Sequence, residues 1–427
     1  MKKLLWILPV ALFALSCEDK PTKMPWEDDL GSGTEQTPDN TTPDDTTPGE
    51  IKVGDTLTPW SAGELDIHAI STGRGECLFY ILPDGTTMVV DAGEFSRETS
   101  EYKNVIQRPN SSIRPTKVYA NYIRHFLPKG KSTIDYFHLS HFHMDHMGNL
   151  EKEYVKDDTG TYTLAGVTAL YHHVPFLEVI DRAYGNYDGL KMNSMSDAAL
   201  ANYRKFLDYQ VARKAIRASQ FKIGAVNQFA LKYNAEAYPD FKIENVCSNG
   251  FVLENGTAVD VYNGKSKAEN AASCGFVIRY GKFDFHSAGD IGNGSNLELR
   301  VAQAVGQVEA TKATKAHHHL SPASNNENMM KVLKPQVLVA TSFYVRDIQP
   351  DKSKFDYITE KNCDIFCTSV GESLLEQYPT DYTKCNATSG HIVIRVAPKG
   401  DSYMVYTLDD MTEGYVVKYI DGPYNCR

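Results

Sequence analysis

Short runs of alternating apolar and polar positions predict strands in the first half of the chain. Residues 65–70 alternate, with Leu65, Ile67 and Ala69 on one face, and the Ser71-Thr72-Gly73-Arg74-Gly75-Glu76 stretch then turns the chain. Residues 77–82 predict a second strand, Pro83-Asp84-Gly85 a turn, and residues 86–90 a third strand that ends in Asp91-Ala92-Gly93. The period changes at residues 118–127, where Val118, Tyr122, Ile123 and Phe126 share one face of a predicted helix. Residues 134–140 read as a strand and 167–171 as another. Residues 196–209 read as a helix capped by Ser196, with Leu200, Tyr203, Phe206 and Leu207 as its apolar face. Strands alternating with helices predict a layered α/β fold.

The first fifty residues follow neither period. Lys2 and Lys3 precede an apolar stretch, residues 4–15, that is short for a bilayer span. Ala14-Leu15-Ser16-Cys17 resembles a bacterial lipobox, which implies lipidation of Cys17 and an anchored protein of the cell envelope. Glu18-Asp19 is similar to the surface-export signal of Bacteroidetes lipoproteins, which points to the outer membrane or cell surface. Residues 18–50 carry Pro21, Pro25, Pro38, Pro43 and Pro48 with few apolar residues, and are expected to form an extended tether. Folding is expected over residues 51–427, within one large domain.

The decisive segment follows the strand at 134–140. His141-Phe142-His143-Met144-Asp145-His146 places two histidines two residues apart on an extended chain, so both can face one metal ion. Asp145 and His146 sit where the chain turns, and can face a second ion. Imidazoles and carboxylates suit Zn²⁺, with Mn²⁺ or Fe as alternatives. Two close cations would lower the pKa of a bridging water to roughly 7, and the resulting hydroxide would attack a carbonyl or phosphoryl centre. The sequence holds no Gly-x-Ser-x-Gly element, phosphate loop or dinucleotide fingerprint that would suggest other chemistry.

His-x-His-x-Asp-His after a strand resembles the signature of the metallo-β-lactamase superfamily. The resemblance implies an αββα sandwich with the metals at one edge of two sheets and a partly helical insertion at about 151–269. Asp91-Ala92-Gly93 matches the family's Asp-x-Gly turn, usually a support for the metal loop. Gly73-Arg74-Gly75-Glu76 with Pro83-Asp84-Gly85 is similar to the metallo-β-lactamase domain of DNA-uptake competence proteins, as is Asn270 to Asp290. That likeness makes Asp290 the bridging carboxylate and Asp145 a catalytic metal ligand. Lys315-Ala316-His317-His318-His319-Leu320-Ser321 resembles that branch's Lys-x-x-His-His-Gly-Ser, and aligning Ser321 selects His318 as the last ligand. Leu320 replaces the glycine and His317 is extra, so His317 and His319 stay open as alternatives. His173, or its neighbour His172, is the candidate for a further histidine. His286, four residues before Asp290, lies within a strand and reads as structural, and His68, His125, His138 and His391 lack ligand-like spacing.

Composition adjusts this picture at two points. The chain has 44 Lys and Arg against 54 Asp and Glu, a net charge of −10, which argues against a general nucleic-acid coat protein. Against that background Arg204, Lys205, Arg213, Lys214, Arg217 and Lys222 form a basic cluster. It is either a solvated helix face or a wall for an anionic substrate, on an insertion that could close as a lid. Seven cysteines follow Cys17, and one or two disulfides are expected in a cell envelope. The expected function is phosphodiester hydrolysis on a small-molecule or nucleotide-like substrate. The alternatives are lactone or β-lactam hydrolysis and a non-catalytic surface binding protein. No obligate protein partner is inferred.

Overall fold

A computed structural model of the protein describes residues 51–95, 106–188, 194–306, 311–343 and 349–426. Cys17 and the expected tether lie outside the described residues. The three strands anticipated first form an antiparallel meander: β1 (Leu65–Ala69), β2 (Leu78–Ile81) and β3 (Thr87–Val90). Next come helix α1 (Pro115–Phe126), strand β4 (Ile134–Leu139) and the single turn α2 (Met144–Met147). Helix α3 (Val167–His173), β5 (Phe176–Asp181), α4 (Ser194–Ala212) and β6 (Arg217–Gln220) follow, with β4, β5 and β6 added in parallel after β3.

The chain then builds a second sheet. Its members are β7 (Phe241–Ser248), β8 (Phe251–Glu254), β9 (Thr257–Asp260), β10 (Gly275–Tyr280), β11 (Phe283–Ala288), β12 (Ala313–Lys315), β13 (Val337–Ala340), β14 (Asp364–Cys367) and β15 (Cys385–Ala387). Helices α5 (Leu297–Val305), α6 (Glu327–Leu333), α7 (Phe355–Thr359) and α8 (Glu372–Gln377) connect its later strands. Strands β16 (His391–Val396), β17 (Ser402–Leu408) and β18 (Val417–Asn425) return to the first sheet beside β1. The spatial orders are β18-β17-β16-β1-β2-β3-β4-β5-β6 and β15-β14-β13-β12-β11-β10-β7-β8-β9.

Burial shows why these strands pack as four layers. Leu65, Ile67, Tyr80 and Met88 of the first sheet meet Phe276, Ile278, Phe285 and Val337 of the second in one core. The opposite face of the first sheet, with Phe79, Val89, Phe137 and Val179, is covered by Tyr119 and Ile123 of α1, Leu170 of α3 and Phe206 of α4. The outer face of the second sheet is covered by Val301 of α5 and Met329 of α6, and further along by Phe355 of α7 and Leu374 of α8. The architecture is an αββα sandwich, the layering that was expected. Strand residues buried on both faces explain the near-continuous apolar runs in the central strands.

Four readings are corrected here. Residues 167–171 are helical, as part of α3, because so short an apolar run carries no period that separates a strand from a buried helix. The helix expected from Ser196 begins at Ser194. The segment 151–269 supplies α3, β5, α4, β6 and β7 to β9, so it belongs to both sheets and to the outer layer; α4 packs on the first sheet and is not a lid. The expected disulfides do not form among the described residues. Cys367 Sγ and Cys385 Sγ, on neighbouring strands, are 4.0 Å apart and remain thiols.

Candidate metal centre

The site grows from the carboxyl ends of parallel strands, where loops are free to present side chains. β3 leads to Asp91 and β4 to His141, both on the first sheet; β11 leads to Asp290 and β12 to the histidine run, both on the second. The loop holding His141 to Gly148 is fixed by backbone bonds. Asp145 O accepts from Glu76 N at 2.8 Å, His146 O from Ala92 N at 2.8 Å, and Met144 O from Glu94 N at 3.1 Å. This close approach depends on Gly93, where a Cβ would fall 1.7 Å from Asp145 O. The loop turns through α2, with His143 at its N-cap and Gly148 at φ 90° past its end.

Asp145, His146, Asp290 and His319 each offer a ligand atom, and those atoms lie within 4.8 Å of one another. His146 Nε2 is 3.2 Å from Asp290 Oδ1, and His319 Nε2 is 3.2 Å from Asp290 Oδ2 and 3.3 Å from Asp145 Oδ2. His141 Nε2 lies 4.0 Å from Asp290 Oδ2, and the ring of His143 is 4.9 Å from that of His141. Asp290 therefore stands between the His141–His143 pair and the Asp145–His146–His319 group.

Hydrogen bonds on the far side of each imidazole aim its Nε2 lone pair into the cluster. His146 Nδ1 donates to Asp91 Oδ2 at 2.7 Å, and His319 Nδ1 donates to the carbonyl of Thr341 at 3.1 Å. Ser140 Oγ donates to Asp91 Oδ2 at 2.7 Å, so its lone pair accepts from His141 Nδ1 at 3.1 Å. Histidines that bind metals carry outward partners of this kind. His141 Nε2 and Asp290 Oδ1 are buried with no hydrogen-bond partner among the described residues. Orphaned buried polar atoms are costly, and a cation between them would satisfy both. The residues fit a metal.

The electrostatics agree. Burial opposes protonation of His146, but Asp290, Asp145 and Asp91 outweigh it and hold its pKa well above that of a free imidazole. In His319 burial is again opposed, by Asp290 and Asp145, and the pKa is pushed up to about 9. Despite burial, His146 and His319 hold Asp145 down to about 2. Burial keeps His141 well below the usual range, and so neutral. The carboxylates thus call for positive charge at the Nε2 atoms, and a proton or a cation can supply it. Two Nε2 atoms only 3.3 Å apart suit one shared cation better than two protons.

Of the expected ligands, the structure brings together Asp145, His146 and Asp290, with His141 and His143 beside them. His318 Nε2 is 3.8 Å from Asp290 Oδ2 and its Nδ1 faces Ser321 Oγ at 3.0 Å, at the edge of the group. His319, left as an alternative, occupies the centre. His317 points away and bonds Glu298 Oε1 at 3.0 Å and His286 Nε2 at 2.9 Å. His173 is not brought to the group. It ends α3, its carbonyl accepts from Arg124 at 2.5 Å, and its charged neighbours are Lys117, Arg124 and Arg114. Its selection rested on reading residues 167–171 as a strand. Sequence reasoning missed Ser140 and Thr341, which nothing in their spacing marks, and gave Glu76 no role beyond its place in the Gly73-Arg74-Gly75-Glu76 motif.

Beside the cluster lies a cleft of about 490 Å³ lined by Arg182, Asn186, Asn249, Lys267 and Glu269. Glu269 Oε1 accepts from Phe142 N at 2.9 Å and from Arg182 Nε at 2.8 Å, which ties the cleft wall to the metal loop. Part of the expected anion wall, Arg213 and Lys214, lies elsewhere. Arg213 and Lys214 follow α4 and precede β6, and β6 runs parallel to β4 and β5. They therefore sit at the edge of the sheet opposite His141. Arg204 stacks over Tyr187, 5.1 Å from the ring centre.

No protein-family model matches the chain, and no curated protein matches it in sequence. Several solved structures are similar in fold. A mutant of the CmlA beta-hydroxylase has a TM-score of 0.39 and 13% identity over 71% of this chain and 52% of its own, so this chain spans about half of its length. Tm1679, a metal-dependent hydrolase of the beta-lactamase superfamily, has a TM-score of 0.35 and 12% identity over 71% of this chain and 95% of its own. A diphosphatase of the PhnP family has a TM-score of 0.31 and 11% identity over 68% of this chain and 90% of its own.

Proposed function

We propose that the protein is a metal-dependent hydrolase holding two ions, zinc by preference. His141, His143 and Asp290 would hold one, and Asp145, His146, His319 and Asp290 the other. The observation that carries this reading is the convergence of Asp145, His146, Asp290 and His319 with their Nε2 lone pairs aimed inward. Imidazole and carboxylate donors suit Zn²⁺, with Mn²⁺ or Fe next. When bound, such ions supply Lewis acidity and acidify a coordinated water. The chain's own part is to fix the donors. Asp91 and Thr341 orient two imidazoles, Gly93 lets the loop close, and the buried walls exclude bulk water.

The substrate class we favour is a phosphodiester. The likeness at Gly73 to Glu76 and at His317 to Ser321 supports it, and so does Lys267 in the adjoining cleft. Arg213 and Lys214 do not contribute at their distant edge. The test is metal analysis of the purified protein, then turnover of a model phosphodiester against a lactone and a β-lactam. Two ions per chain, lost with turnover in Asp145→Ala, is the expected result. Lactone turnover faster by orders of magnitude would overturn the substrate class, and unchanged metal content in Asp145→Ala would overturn the site. We further propose that Cys17 carries a lipid anchor at the cell envelope. Cys17→Ala should move the protein from the membrane fraction to the soluble one, and retention in the membrane would refute the anchor.

A further inference from the structure

We propose that Glu76 is a positioning residue for His319, that Lys315 is its fixed counterion, and that the pair sets the spacing of the two halves of the metal centre. The inference rests on the metal-centre reading above. Glu76 comes from the turn between β1 and β2 on the first sheet, and Lys315 ends β12 on the second. Their side chains are 0% and 1% exposed, and Lys315 Nζ lies 2.9 Å from Glu76 Oε2. A buried pair of this kind joins the sheets beneath ligands that come partly from each.

The carboxylate is shared. Glu76 Oε2 also accepts from Thr341 Oγ1 at 2.5 Å and lies 3.4 Å from His319 Nδ1. Thr341 thus grips both partners, since its carbonyl accepts from that same Nδ1 at 3.1 Å. Glu76 Oε1 lies 3.8 Å from His146 Nδ1 and has no hydrogen-bond partner among the described residues. One carboxylate therefore lies behind two imidazoles whose Nε2 atoms face the ion site. Negative charge there makes each imidazole a better donor to a cation. Lys315 balances that charge and stands four residues before His319. Its pairing anchors the start of a run in which His318, His319 and Leu320 all take left-handed φ of 44°, 55° and 60°. Breaking the pair from either side leaves a buried charge alone, whereas removing both charges does not.

The test measures Zn²⁺ affinity by competition with a chromogenic chelator, with the visible spectrum of the Co²⁺-loaded protein as a second readout. Glu76→Gln should weaken the ion held by His146 and His319 by about 10- to 100-fold and alter the Co²⁺ bands, while the other ion stays bound. Glu76→Asp should recover part of the affinity. Thr341→Val keeps both charges and should fold even where Glu76→Gln does not; it should weaken the same ion by a smaller factor. The double variant Glu76→Gln, Lys315→Met should fold, and should bind as weakly as Glu76→Gln. Wild-type affinity and spectrum in folded Glu76→Gln, or in both the double variant and Thr341→Val, would overturn the positioning role. A wild-type protein that binds no Zn²⁺ or Co²⁺ would instead overturn the metal-centre reading itself.

Discussion

At the scale of single residues, the three consecutive histidines show how little spacing says about direction once the backbone turns left-handed. His318, His319 and Leu320 share positive φ, a conformation that L-residues adopt only where the surroundings enforce it. Asn325 supplies part of that enforcement, accepting from His317 N at 3.0 Å and donating to His317 O at 2.7 Å. An alignment on Ser321 selects His318, while the left-handed turn carries His319 inward and leaves His318 at the rim. His319→Ala should therefore cost one ion per chain, and His318→Ala should keep both with weakened binding. Metal content by mass spectrometry of the two variants checks this. His138 supports a separate prediction. It is buried in β4 against Phe221, and burial lowers its pKa to about 4. The unfolded chain protonates it near 6.5, so between that pH and about 4 the unfolded state binds more protons and stability falls as pH falls. The full loss is about 3 kcal/mol, and none of it remains to be lost above pH 7. Denaturant titrations at pH 7 and pH 5 should show the drop, and His138→Gln should flatten it.

At the scale of elements, the legible parts were those whose period was long or whose motif was dense. β1 to β4 and α1 followed from alternation and from one apolar helix face, and the loop at 141–146 from three histidines and an aspartate at a strand end. The supports of that loop were half legible. Asp91-Ala92-Gly93 stood out as a turn, but the reason for its glycine is tertiary, because Gly93 packs against the carbonyl of Asp145. Residues 167–171 were illegible because seven helical residues, with Val167 and Leu170 buried, offer less than two full periods. The basic cluster misled for a similar reason: charge can be counted along a chain, but which sheet edge holds Arg213 depends on the parallel pairing of β6. The Gly93 contact supports an element-scale prediction. Gly93→Ala must push the 74–76 and 141–146 segments apart by an ångström or more, since a Cβ would also fall 2.8 Å from Glu76 N. The fold should survive, with a stability loss of about 1–3 kcal/mol, as for overpacking elsewhere. Metal affinity should fall far more steeply than stability, which chelator competition on the folded variant measures. Affinity unchanged within a factor of two would show that the loop absorbs the methyl group and that Gly93 does not govern the site.

At the scale of the whole molecule, the candidate metal centre lies across the seam of the sandwich. His141, His143, Asp145 and His146 belong to the first sheet, and Asp290 and His319 to the second. The two sheets share a large apolar core away from the site, so the sandwich is expected to fold without the ions. At the seam's edge, however, Asp91, Glu76, Asp145 and Asp290 place four carboxylates around a few imidazoles and one lysine. Ions that bind the folded state and not the unfolded chain stabilise it by mass action, by about 2.7 kcal/mol when free metal stands at 100 times its dissociation constant. Because Asp290 faces His146 across the seam, that stabilisation should appear as a cross-link between sheets and not as ordering of one loop. Chelation should lower the thermal midpoint by several degrees, and added Zn²⁺ should restore it. Hydrogen exchange should then show the loss of protection on both sides, at β4 and its loop and at β11 to β12. In Asp290→Asn the chelator-dependent shift should shrink, because the variant removes the charge that both halves share. A shift confined to residues 141–148, with β11 and β12 unchanged, would mean that the ions order a loop on one sheet and that Asp290 does not bridge the seam.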